Sequence, residues 1–70
     1  MKKASKEAVN EFLKQYYNVD VDGADDGVLM DAVNALDDFY IMTENESYNE
    51  IMIHIYDVLD ERKIRGINSF

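Results

Sequence analysis

Between residues 26 and 42 the apolar side chains return every three or four positions, a repeat that suits a helix with one side to be covered. At about 100° per residue, Val28, Leu29, Ala32, Val33, Ala35, Leu36, Phe39 and Tyr40 fall within an arc of roughly 160°. Asp31 and Asp38 lie together on the far side. The same spacing groups Ala8, Val9, Phe12, Leu13 and Tyr16 upstream, and Tyr48, Ile51, Met52, Ile55, Tyr56, Val58 and Leu59 downstream. A chain with three such stripes is predicted to be all-α, a small three-helix bundle with helices over residues 5–17, 26–42 and 47–65.

Helix ends are legible too. Ser5 is a candidate N-cap for the first helix and Asn18 a stop. Asp25 or Asp26 suits the start of the second, where a carboxylate accepts from free amides and complements the positive end of the helix dipole. Ser47-Tyr48-Asn49-Glu50 has the form of a capping box for the third. Arg62, Lys63 and Arg65 complement its carboxyl end, and Gly66 suits a left-handed cap. One competing pattern exists: Ile51, Ile53 and Ile55 alternate with Met52, His54 and Tyr56 as in a strand, which Phe39 to Thr43 could pair as a hairpin. Two caps and a length of about 16 residues favour the helix. The short link from Thr43 to Glu46 then makes the second and third helices an antiparallel pair.

Seventy residues form a single domain, 1–70. A chain this short buries only about 60% of the surface its unfolded form exposes. It has no cysteine, so neither a disulfide nor a thiolate metal site adds stability. No segment reaches the roughly 20 apolar residues of a membrane span, and Glu7, Asn10 and Glu11 interrupt any leader-like run behind Lys2 and Lys3. The expected location is the cytoplasm.

Charge is distributed unevenly. All seven basic residues lie towards the ends: Lys2, Lys3, Lys6 and Lys14, then Arg62, Lys63 and Arg65. From Gln15 to Glu61 there are thirteen acids and no lysine or arginine, and the net charge is −8. Charged helices normally mix signs, because glutamate–lysine pairs stabilise a helix by about 0.2–0.5 kcal/mol each, and like charges at the same spacing cost a similar amount. On the third helix Glu50, Asp57 and Glu61 fall within about 40°, with His54 beside them. Rows of carboxylates about 5–6 Å apart are on the scale of a phosphate backbone.

Two short resemblances touch the loop before the second helix. Asn18-Val19-Asp20-Val21-Asp22-Gly23 resembles the first half of an EF-hand calcium loop, but Leu29 stands where that loop has its bidentate glutamate. Gly23-Ala24-Asp25-Asp26-Gly27-Val28-Leu29 looks like the attachment segment of acyl carrier proteins, with Asp26 in place of the serine that carries their prosthetic arm. His54, the single histidine, has no nucleophile pattern around it.

No enzyme, cofactor or metal site is therefore expected. The functional expectation is a small acidic inhibitor that binds a basic, nucleic-acid-binding protein or nuclease. It would not bind nucleic acid or membrane itself. In composition it is similar to the DNA-mimic inhibitors of phages and mobile elements, and to acidic immunity proteins and antitoxins. The candidate contact residues are Asp31, Asp38, Glu50, Asp57 and Glu61, then Asp20, Asp22, Asp25 and Asp26, with the off-stripe Met30, Ile41, Tyr17 and Ile53 supplying apolar contact. The alternative is a non-catalytic helical adaptor or homodimerising module whose charge serves solubility alone, with calcium binding in the 18–29 loop as an outside reading.

Overall fold

The computed structural model describes residues 2–65 and consists there of three helices, α1 (Lys6–Tyr17), α2 (Asp26–Thr43) and α3 (Glu46–Arg65). Local chemistry sets their ends. The Ser5 hydroxyl accepts from the Ala8 amide at 3.1 Å to start α1, and Asn18 closes it in the left-handed region at φ 61°. Asp25 starts α2 in the same way, accepting from the Val28 amide at 2.8 Å. The start of α3 differs from the expected capping box. Its first turn is capped by Asn45, whose side-chain oxygen accepts from the Ser47 amide at 2.9 Å, so Ser47 already lies inside the helix. Asn45 is the first capping residue after α2 closes with Glu44 left-handed, and it leaves a two-residue link. The expected Gly66 cap lies outside the described residues.

Helices α2 and α3 run antiparallel. Tyr40, late in α2, donates to Glu46 at the start of α3, while Arg62, late in α3, donates to Asp26 at the start of α2. The isoleucines at 51, 53 and 55 belong to this helix, with Ile51 and Ile55 buried and Ile53 half-buried. Helix α1 lies across the pair. Ala4, just before it, bonds to Glu50 in the first half of α3, and the last turn of α1 meets α2 through Tyr16 against Phe39 and Tyr17 against Asp31.

The core takes Val9, Phe12 and Leu13 from α1, Leu29, Ala32, Val33 and Leu36 from α2, and Ile51, Met52 and Ile55 from α3. The connection between α1 and α2 adds two residues that helical periodicity does not reach. Val21 and Ala24 are 2% and 3% exposed. The loop is held down by Asn10, whose side-chain oxygen accepts from the Val21 amide at 2.8 Å. At about 1.5–3 kcal/mol for a fully buried aliphatic side chain, Val21 makes this loop part of the core rather than a passive link.

Two tyrosines assigned to core stripes are half exposed instead, Tyr16 and Tyr56. Tyr16 stacks on Phe12 and Phe39 with ring centroids at 4.8 and 5.6 Å, and Phe39 continues the row to Tyr48 at 5.4 Å. A tyrosine at a core edge keeps an apolar face on its neighbours and its hydroxyl in water.

Candidate acidic binding surface

Three cations reach back to the acids. Lys3 pairs with Asp57 at 2.8 Å, Lys6 with Asp22 at 2.7 Å and Arg62 with Asp26 at 2.7 Å. The first two pairs are exposed and contribute little to stability. The third is different, because the Arg62 side chain is only 19% exposed. Its Nη2 donates to the carbonyls of Ala24 at 2.8 Å and Val21 at 3.3 Å while Nη1 holds Asp26. One guanidinium therefore ties α3 to both the loop and the start of α2.

The α3 row of Glu50, His54, Asp57 and Glu61 exists as a helical face, but the segment before α1 lies along part of it. The Ala4 amide donates to the Glu50 carbonyl at 3.0 Å, and the Ala4 carbonyl lies 2.8 Å from His54 Nδ1. A carbonyl only accepts, so Nδ1 carries a proton and donates. His54 is thus half-buried under the chain rather than displayed with the acids. Lys3 follows onto Asp57, and its ammonium, with help from His54, holds the Asp57 carboxyl below the usual carboxylate range. A shallow depression of about 440 Å³ is left between Lys3, His54, Asp57, Val58, Asp60 and Glu61. Glu50 is half-buried and lines a neighbouring hollow with Lys2, Lys3 and Ser5.

The loop acids have structural partners. Asp20 accepts from the Gly23 amide at 2.8 Å, Asp22 meets Lys6, Asp25 caps α2 and Asp26 meets Arg62. The Lys6 ammonium is in turn held above its ordinary pKa by the Asp22 hydrogen bond and charge. Oxygens that an EF-hand would turn inward on calcium are engaged by amides, a lysine and a guanidinium. Among the described residues no three histidine or acidic side chains converge on a position for a metal ion.

The outward face of α2 is where the acids stay uncovered. Asp31, Asp37 and Asp38 are exposed there, and no ion pair among the described residues involves them. Asp31 accepts from the Tyr17 hydroxyl at 2.7 Å. Burial and that carboxylate together push the Tyr17 phenol up to about 12. Tyr17 is thereby half-buried between α1 and α2, as Ile53 is half-buried on α3, and neither supplies the free apolar contact expected of it. Met30 and Ile41 do: they are 49% and 66% exposed.

The nine candidate acids accordingly do not form one face. Asp31 and Asp38 share the outside of α2, Asp57 and Glu61 flank the α3 depression, Glu50 lines the neighbouring hollow, and Asp20, Asp22, Asp25 and Asp26 hold the loop in place. Sequence reasoning passed over Asp37, which lies nearer the buried arc by helical projection but is exposed. Compared with known protein families, curated proteins and solved structures, the chain matches none. No helix among the described residues is long and apolar enough to cross a membrane.

Proposed function

We propose that the protein is a non-catalytic binding inhibitor acting in the cytoplasm, which occupies a basic surface on a nucleic-acid-binding protein or nuclease and keeps the natural polyanion away. The observation that carries this reading is where the cations go. Lys3, Lys6 and Arg62 are spent on α3, the loop and the first residue of α2, while the rest of α2 presents Asp31, Asp37 and Asp38 with no cation. A surface charge distributed for solubility alone would mix signs on that helix, where such pairs stabilise. Long-range attraction to a basic partner speeds encounter, and the same field repels nucleic acid from the inhibitor itself. The role resembles that of DNA-mimic inhibitors and of the acidic immunity proteins and antitoxins that cap basic nucleases.

The test is capture on the immobilised chain from a nuclease-treated lysate, followed by elution in rising salt. The reading expects a basic nucleic-acid-binding protein that elutes early in the gradient and whose nucleic-acid binding is blocked by added chain. A partner held through high salt, whose nucleic-acid binding is untouched, would make the protein an adaptor instead.

A further inference from the structure

On the reading of the chain as a binder of a basic partner, we infer that the outward face of α2 is the docking face and that its occupant is a cationic amphipathic helix of the partner. Met30 and Ile41 are the apolar anchors, and Asp31, Asp37 and Asp38 form the charged rim. Met30 and Ile41 lie three turns apart and within about 20° of each other, so both project from one line along the helix, with Asn34 between them. Both are large and about half or more exposed, and by projection they lie about 110–130° around the helix from the centre of the buried Leu29, Ala32, Val33 and Leu36. Asp37 stands on one flank of that line and Asp38 and Asp31 on the other.

Two apolar side chains about 16 Å apart along one axis match a second helix laid alongside, which meets them with its own repeat. The rim sets the sign of that helix: three carboxylates and no cation require lysine or arginine at its edges. A second copy of this chain is a poor occupant, because a two-fold contact would set this acidic rim against itself in a protein of net charge −8. An anionic bilayer or a nucleic acid is repelled for the same reason.

The experiment uses the full chain and two synthetic peptides of equal charge, a leucine–lysine helix with one leucine face and an oligolysine without one. Calorimetry at low salt should show the leucine–lysine helix binding at least about tenfold more tightly. The double variant Met30→Gln, Ile41→Gln, with unchanged circular dichroism and thermal midpoint, should lower its affinity to that of oligolysine and leave oligolysine binding as it was. Amide resonances of Met30, Asn34 and Ile41 should shift on addition of the helix, with Asp57 and Glu61 unmoved. Equal affinity for the two peptides, or shifts centred on α3, would overturn the docking face while leaving the charge-driven reading intact. Failure of both peptides to bind would overturn both. Sedimentation showing a dimer that the double variant abolishes would assign the face to a second copy and also overturn the inference.

Discussion

Arg62 Nη1 donates to Asp26 Oδ1 at 2.7 Å, so the end of α3 is fastened to the beginning of α2. The other half of the fork holds the Val21 and Ala24 carbonyls, with the whole side chain largely buried. Replacing Arg62 by methionine keeps much of the stem's packing but removes the guanidinium's bonds to the Asp26 carboxylate and to the Val21 and Ala24 carbonyls. We expect urea unfolding to show a loss of about 2–3 kcal/mol. Arg62→Lys should recover less than half, because an ammonium lacks the planar fork that reaches three acceptors at once. A loss under about 0.5 kcal/mol for Arg62→Met would mean the clasp is ornamental.

The loop before α2 should behave as core. Val21→Ala removes buried methyl groups, and Asn10→Ala removes the acceptor of the Val21 amide. Each is expected to cost about 1–2 kcal/mol in the same assay. An ordinary exposed turn would tolerate both changes with little effect.

Tyr17 makes the fold sensitive to alkali. Its phenol has an ordinary value of 10.0 and is raised to about 12 in the folded chain, so folding favours the protonated form. The resulting stabilisation is complete below pH 10 and is lost as the pH rises towards 12. Tyrosinate absorbance should show that the last tyrosine to titrate disappears in Tyr17→Phe, while Tyr40, held above its ordinary value by Glu46, still titrates late. That variant should also flatten the fall in stability across this window.

Glu44 closes α2 with φ 56°, a left-handed conformation that a side chain with a Cβ adopts at a cost. Its amide still donates to the Tyr40 carbonyl at 2.7 Å, and a glycine keeps that bond. Glu44→Gly should raise stability by about 0.5–1 kcal/mol, a few degrees in thermal midpoint, since relief of strain outweighs the extra freedom of the unfolded chain. A lower midpoint would show that the Glu44 side chain contributes something beyond its backbone angle.

The helices were readable because their signals are local. A stripe such as Leu29, Ala32, Val33 and Leu36, and a cap such as Ser5 or Asp25, act within one or two turns. The third cap was misplaced by two residues because Asn45 and Ser47 both suit an N-cap and only the end of α2 selects between them. Arg62 shows a signal that was present and passed over. It stands seven positions after Ile55, in line with the buried side of α3, where a long cation suggests a buried partner rather than a helix-end charge. Val21 and Ala24 gave no periodic signal, since their burial depends on how a loop returns across α1. The acids divided for the same reason. Helical projection puts Glu50, Asp57 and Glu61 on one side of α3, but only the tertiary path of residues 2–5 lays Lys3 and Ala4 on that side.

The central claim is that the uncovered acids of α2 recognise a basic protein, and the most direct measurement compares charge reversals by affinity for the partner recovered at low salt. Asp37→Lys with Asp38→Lys should weaken binding by at least about 100-fold and flatten its salt dependence. Reversing Asp57 and Glu61 on α3 should change it by less than about fivefold. If the α3 reversals abolish binding and the α2 reversals leave it intact, α2 is not the recognition surface.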